Sequence, residues 1–140
     1  MILHKLKTFF ALPFFSRRLL VEAWYTQLYT GLVLKIVPFK KIPSLFPNPE
    51  RETRNAERGT QLEMLRDAIM LTSRYSLWRN KCLVQSLAAR KMLKKRGITS
   101  QLSLGLRKNS ANRLIAHAWL KTGEKEIVSK SGDFLELFVF

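Results

Sequence analysis

The sequence is poor in metal-binding and disulfide-forming residues, with one cysteine, Cys82, and two histidines, His4 and His117, among 140 residues. A single cysteine cannot form an internal disulfide, and no Cys/His cluster has the spacing of metal ligands, so structural zinc is excluded. We therefore expect no metal and no cofactor, and a reducing, cytoplasmic setting is the default. With 46% hydrophobic residues, the chain is able to bury a core without metals or disulfides.

Uninterrupted apolar runs of membrane-spanning length are also missing. The most apolar segment, 19–37, is interrupted by Glu22, Gln27 and Lys35, whereas a spanning helix needs roughly 18 uncharged residues. The apolar stretch 8–15 lacks the cleavage pattern of a signal peptide. The large apolar residues of 19–37 at helical spacing are Leu20, Trp24, Leu28 and Leu32. We predict that this segment is a core helix or a helix that lies on a membrane surface, so the protein is cytoplasmic or membrane-associated.

Acidic residues are absent between Asp67 and Glu124, whereas twelve Lys and Arg residues fall in that stretch of a chain whose formal charge is +15. The positive electrostatic field of these residues would attract an acidic peptide, an anionic membrane surface or nucleic acid. Lys91, Lys94 and Lys95 have the spacing of the solvated outer face of a helix. No helix-turn-helix, zinc-finger or RNA-binding aromatic motif accompanies the cations, so nucleic acid is not favoured as a partner.

Proline is missing from the chain after residue 49, and all five prolines precede that point. The stretch 38–59 mixes prolines with charged residues and Asn, which is typical of a connector. We therefore predict two parts that form one compact unit. Residues 1–59 are an N-terminal helical segment with a Pro-rich connector, and residues 60–140 are the core.

Two helices are predicted at the start of the core. Thr60 and Glu63 have the spacing of a capping box, which predicts a helix over about 60–76. A second helix is predicted to begin at the N-cap Asn80 and to end at Gly97, which suits the left-handed residue after a helix.

After Gly97 the hydrophobic period changes from that of a helix to that of a strand. The predicted strands are 101–106, 114–119, 127–129 and 135–140, with hairpin loops at 108–112 and 122–124. If Gly123 centres a three-residue loop, Ser129 lies directly opposite His117. The fold class is therefore α+β, with helices first and a small antiparallel sheet after them.

Cys82 and His117 are the residues most able to carry chemistry. Unpaired amides and the dipole at a helix start favour a thiolate and can also hold an oxyanion, which are the two needs of acyl transfer. His117, between the small residues Ala116 and Ala118, could take the thiol proton and return it to a leaving amine. The competing interpretations are an inert buried cysteine and a hydrogen-bonded core histidine.

A third residue is expected to orient the imidazole. The nearest carboxylates in sequence are Glu124, Glu126, Asp133 and Glu136. We choose Asp133, although a turn residue in Ser-Gly-Asp explains it equally well. Trp119 shares a strand face with His117 and is a candidate wall of the site, and Gly105 is a candidate for a bulge or a close backbone approach.

The order of these motifs is similar to that of a known family. The matching motifs are the helix Cys82–Ala88 with Leu93–Gly97, the strand Leu102–Leu106, the strand Ala116–Leu120 and Gly123. Together they resemble the transglutaminase-like leader peptidases, the B proteins of lasso-peptide biosynthesis. The Leu-Leu-Val-Glu-Ala run and Val37-Pro38-Phe39 also resemble the N-terminal part of stand-alone members.

The resemblance implies a papain/transglutaminase-like fold whose nucleophile stands at a helix N-terminus packed on the sheet. It further implies a cysteine peptidase that removes the leader from a ribosomally made precursor peptide, with Cys82 as nucleophile and His117 as base. Its implied partners are the precursor peptide, a small leader-recognition protein and an ATP-using asparagine-synthetase-like cyclase. The aspartate that the family carries twelve residues after the histidine falls on Ser129 here, so Asp133 is retained as the third catalytic residue.

Two other functions remain open on the sequence. One is a non-catalytic basic protein that binds nucleic acid or an anionic membrane. The other is an acyl transferase on the same cysteine, because the choice between transfer and hydrolysis depends on which nucleophile reaches the thioester.

Overall fold

The computed structural model of the protein describes residues 2–52, 58–76, 78 and 81–140. The helices are α1 (Ile2–Ala11), α2 (Phe14–Ile36), α3 (Ile42–Leu45), α4 (Arg58–Ser73) and α5 (Lys81–Lys95), with a 3-10 turn at Phe39–Lys41. The strands are β1 (Gln101–Lys108), β2 (Leu114–Thr122), β3 (Lys125–Val128) and β4 (Leu135–Val139). This order confirms the predicted α+β class. None of the helices in these ranges has the length and hydropathy needed to cross a membrane.

The four strands form one antiparallel sheet in the order β3-β2-β1-β4. Gly105 of β1 is paired with His117 on one side and with Glu136 of β4 on the other. Helix α5 packs on β2 and β3, and α2 and α4 pack on α5. The sheet therefore has one face covered by the helices, and Leu87 of α5 shares a core there with Leu102 and Leu120.

Helix α2 buries mainly small and polar residues and leaves part of its large apolar stripe exposed. Its buried residues are Leu19, Ala23, Thr26, Gln27, Thr30 and Gly31. Trp24 and Leu32, which belong to the apolar stripe of the sequence, are 47% and 51% exposed. The small residues are buried because α2 contacts both α4 and α5, and close approach of helices favours side chains that occupy little space. Helix α2 is thus a core helix, one of the two positions predicted for it, and its stripe of large apolar residues is partly exposed.

The ends of α4 and α5 test the predicted caps. Gly97 has a φ of 68°, its amide donates to Lys94 O at 2.9 Å, and the Ile98 amide donates to Leu93 O at 3.0 Å. These are the two bonds of a Schellman motif, so Gly97 ends α5 as predicted. The capping box at Thr60 was wrong, because α4 already begins at Arg58. The Asn80 cap lies outside the described residues.

The β2–β3 hairpin is tighter than the predicted one. Thr122 pairs with Lys125 across a two-residue turn, in which Gly123 has a φ of 57°. The register also shifts between Leu120 and Lys121. The predicted three-residue loop was therefore wrong, and Ser129 lies just past the end of β3 instead of pairing directly with His117.

The Arg90 side chain, on α5, is buried although it carries a charge. Its guanidinium donates to Phe46 O at 2.6 Å, to Ser100 O at 3.0 Å and to Phe140 O at 2.6 Å. Burial lowers the pKa of Arg90 from its ordinary value, since the charged form is poorly solvated there. The three carbonyls compensate for the lost water, so this residue links the connector, the α5–β1 loop and the end of β4.

Candidate active site

Cys82 is the second residue of α5, as the sequence predicted. Its side chain is half-buried and its thiol is free. The first amides of a helix have no partner within the helix, so they remain available to a negative charge beside the first turn. Lys94 and Lys95 occupy the last turn, where cations complement the opposite end of the dipole. Cys82 is therefore placed where backbone amides are able to hold an oxyanion.

His117 lies in β2 and is held by a main-chain oxygen. Its Nε2 is 2.8 Å from Ser129 O. A carbonyl oxygen can only accept a hydrogen bond, so Nε2 carries the proton in this contact. In the neutral ring, Nδ1 then has the free lone pair, which is the form that can accept a proton from a thiol.

Aromatic rings surround His117. The Trp119 ring is stacked against it with centroids 6.2 Å apart, and the Phe134 centroid lies at 4.9 Å. Gly105 opposite is required for this packing, because a Cβ there would lie 2.7 Å from Leu135 O and 2.9 Å from the Trp119 ring. The register shift between Leu104 and Gly105 adds a bulge at the same place. Trp119 thus forms a wall beside His117, and Gly105 marks both a close approach and a bulge.

The structure brings some of the predicted site residues together and leaves others apart. In the described part of the chain, Cys82 and His117 make no hydrogen bond with each other. Alternation along β2 puts His117 and Trp119 on one face, and Ala118 and Leu120 on the face of the helical core. Asp133 is exposed on the loop before β4. The acceptor that His117 Nε2 contacts is Ser129 O and not the Asp133 carboxylate, so the predicted role of Asp133 stays a prediction.

Two cationic side chains lie over aromatic rings in the same region. Lys130 Nζ lies 5.1 Å from the centroid of the Trp119 ring, and the Arg107 guanidinium lies 4.8 Å from that of Phe134. Cations at these distances are attracted to the faces of aromatic rings. The surface next to His117 is therefore electropositive.

Residues 27–137 match the transglutaminase-like superfamily. The chain belongs to this superfamily. The match includes the C-terminal part of α2, both helices of the core and nearly all of the sheet. Comparison with curated proteins and with solved structures found no match.

Transglutaminase-like proteins are typically cysteine peptidases or acyl transferases. Membership of this superfamily is therefore consistent with a cysteine nucleophile at the position of Cys82. A helix-borne cysteine and a sheet-borne histidine in one such domain fit a papain-like core. The predicted nucleophile and base therefore lie on the expected elements of a transglutaminase-like fold.

Two features of this transglutaminase-like site were not found from the sequence. One is the Ser129 carbonyl, a main-chain group that every residue type carries, so no residue pattern could indicate it. The other is Phe134, whose ring contacts His117. The sequence feature that indicates Phe134 is its position as an apolar residue directly after the Ser131-Gly132-Asp133 turn. Such a position is typical of a side chain that packs back onto a sheet.

Proposed function

We propose that the protein is a cysteine peptidase that removes the leader from a ribosomally synthesised precursor peptide in lasso-peptide biosynthesis. The observation that carries this proposal is the only cysteine of the chain at the start of α5 in a transglutaminase-like domain. The hydrogen bond between His117 Nε2 and Ser129 O supports it, since it leaves Nδ1 as the proton acceptor.

The reaction starts when the Cys82 thiol transfers its proton to Nδ1 of His117 and the thiolate attacks the last carbonyl of the leader. The amides of the first turn of α5 hold the oxyanion that forms. Collapse breaks the peptide bond, and Nδ1–H protonates the departing amine of the core peptide. Water then attacks the thioester, with His117 accepting its proton. The leader leaves as a carboxylic acid and the thiol is restored.

This sequence of steps requires the Cys82 sulfur and His117 Nδ1 to meet. They are not hydrogen-bonded in the free protein. Catalytic hydrogen bonds are often long in free enzymes and tighten when substrate binds. Helix α5 already packs on β2, and His117 lies on the other face of that strand, so we propose that binding of the precursor moves the first turn of α5 and the imidazole toward each other.

The partners follow from the same proposal. The motifs Cys82–Ala88 and Ala116–Leu120 support the precursor peptide as substrate. A small leader-recognition protein presents it, and an ATP-using asparagine-synthetase-like cyclase takes the new amine. Arg107 and Lys130 beside His117 suit a peptide with acidic residues near the cleaved bond.

The test is cleavage of a precursor peptide encoded beside the gene, with its leader-recognition protein, followed by mass spectrometry. Cys82→Ala should abolish the release of leader while the fold and precursor binding persist. Ser86→Ala is the matched control, because Ser86 is buried one turn further along α5 and its hydroxyl has no hydrogen-bond partner among the residues that the structure describes. Cleavage by Cys82→Ala at the wild-type rate would disprove the peptidase proposal.

The same reaction distinguishes hydrolysis from acyl transfer. In water labelled with oxygen-18, hydrolysis puts the label in the new carboxylate of the leader. If the leader is instead recovered joined to an added amine, without label, Cys82 serves an acyl transferase.

A further inference from the structure

The first two helices carry an exposed apolar surface. The N-terminal face is defined here by the side chains of Ile2, Leu3, Leu6, Phe10, Phe14 and Phe15. Their exposed fractions run from 49% for Leu6 to 76% for Ile2. Six large apolar side chains exposed within fifteen residues of sequence indicate a binding surface and not a core.

Helix α1 does not bury its apolar side in the protein. None of its residues is buried. A cleft of about 770 Å³ separates it from α2 and α4, with Leu6 and Phe9 on one wall and Trp24 and Tyr75 on the other. Pro13 interrupts the chain between α1 and α2. The apolar side chains of α1 are therefore available to another binding partner.

The charge of the same segment has one sign. The first 21 residues contain no Asp or Glu, and they contain Lys5, Lys7, Arg17 and Arg18. The first acidic residue is Glu22, whose carboxylate is bound by Arg96 at 2.8 Å and 3.0 Å. The cations that flank the N-terminal face are therefore not neutralised by acids of their own segment.

The aromatic residues next to this face are exposed as well. Trp24 and Tyr25 follow on α2, with exposed fractions of 47% and 66%. Rings with a polar atom at one edge favour the boundary between water and hydrocarbon. Exposed apolar residues on a short helix, with cations beside them and Trp and Tyr nearby, form the pattern of a helix that lies in a membrane interface.

We propose that the N-terminal face binds the surface of an anionic phospholipid bilayer. Helix α1 lies in the plane of the interface, with Leu3 and Phe10 among the acyl chains and Lys7 and Arg18 beside the phosphates. The described helices have no membrane span, so the protein lies on the membrane without crossing it. A second copy of the chain would bring the same four cations together, which disfavours it as the occupant of this face.

The test is flotation of the full chain with vesicles of phosphatidylcholine alone and of phosphatidylcholine with about 30% phosphatidylglycerol, at low and high salt. The protein should float with the anionic vesicles and stay in solution with the neutral ones. Added salt should release it, because surface charge is screened.

Three double variants test whether binding depends on this face or on the overall positive charge of the protein. Lys7→Gln with Arg18→Gln should weaken binding on the order of 25-fold, since each cation near an anionic surface contributes roughly fivefold. Lys108→Gln with Arg113→Gln is the control, because it removes the same charge from the exposed β1–β2 hairpin. It should change binding by about twofold or less. Leu3→Ser with Phe10→Ser should weaken binding by about tenfold or more while the melting temperature stays unchanged.

Three outcomes would overturn the proposal. These are equal binding to neutral and anionic vesicles, equal losses in the two charge variants, and a lipid-free dimer that Leu3→Ser with Phe10→Ser dissociates. The last would assign the face to a second copy. Vesicle binding is measured without any peptide, so its failure is distinct from a failure of the proposed peptidase function.

Discussion

The carbonyl oxygen of Ser129 lies 2.8 Å from Nε2 of His117. An aspartate carboxylate in place of this carbonyl would both fix the tautomer and stabilise the imidazolium. A carbonyl fixes the tautomer equally well, but it has no charge to offer. In the site proposed for this protein, the third group therefore fixes the tautomer of His117 but adds no negative charge beside the imidazolium.

The first prediction concerns that third group. Ser129→Ala should keep turnover within about twofold of wild type, because the acceptor Ser129 O is a main-chain atom that the variant retains. His117→Ala should abolish turnover, since it removes the base. Cleavage rates of the three variants are the measurement. A loss of tenfold or more in Asp133→Asn would instead show that the Asp133 carboxylate reaches the imidazole during the reaction.

The second prediction concerns the ion pair of Glu22 and Arg96. Burial raises the pKa of Glu22, but the hydrogen bonds and charge of Arg96, with a smaller effect of Lys95, outweigh it, so the pKa lies below the ordinary value of 4.5. The pair therefore stabilises the fold above that pH, and this contribution is lost as the pH falls through the lowered pKa.

Glu22→Gln should reduce the free energy of unfolding by about 1 kcal/mol at neutral pH, and the difference from wild type should vanish in acid. Urea unfolding at pH values from neutral to acid is the measurement. Glu63→Gln is the control, since Glu63 pairs with Lys125 at the exposed surface and should contribute less. A constant difference across the pH range would contradict the ion-pair explanation.

The third prediction concerns the contact between Gly31 and Trp78. A Cβ on Gly31 would lie 2.0 Å from the indole ring, so Gly31→Ala must displace Trp78, which comes four residues before Cys82. We expect a loss of about 1 to 3 kcal/mol in the free energy of unfolding and a changed alkylation rate at Cys82.

Gly59→Ala is the matched control for this helix glycine. A Cβ at Gly59 meets no atom within 4 Å, so the substitution should stabilise the protein by up to about 1 kcal/mol through helix propensity. If the two variants have the same stability, the Trp78 contact contributes nothing to the fold.

The fourth prediction separates the peptidase from a basic binding protein. Unrelated duplex DNA should not inhibit precursor cleavage at moderate salt, because the proposed site recognises a peptide backbone and its leader. A phosphate-binding protein would prefer DNA, with an affinity that falls steeply as salt rises. Tight, salt-sensitive DNA binding without any cleavage would reject the enzyme in favour of that alternative.

The strands and α5 were predictable because their signals are local. Alternation of Leu102, Leu104 and Leu106 marks β1 directly, and Gly97 marks the end of α5 by its left-handed backbone. The buried face of α2 was not predictable from its largest residues. The contact of three helices selected Ala23 and Gly31 for the inside, and that requirement is set by tertiary packing alone.

The candidate site was partly predictable for a similar reason. Cys82 and His117 are singled out by residue type and by their elements, which are properties of the sequence. The register at the end of β3 is not such a property, because it depends on a two-residue turn and a shift between Leu120 and Lys121. That register decides which group Ser129 presents to the imidazole.

Arg90 gives the edge of the sheet an unexpected resistance to fraying. Strand β4 is exposed along its whole length, and such an edge would normally exchange its amide hydrogens by local opening. Opening here would remove Phe140 O from the buried guanidinium and break the paired bonds between Leu102 and Phe140. Amide exchange at the end of β4 should therefore follow the opening of α5 and the core, so that an exposed strand reports on the global unfolding of the domain.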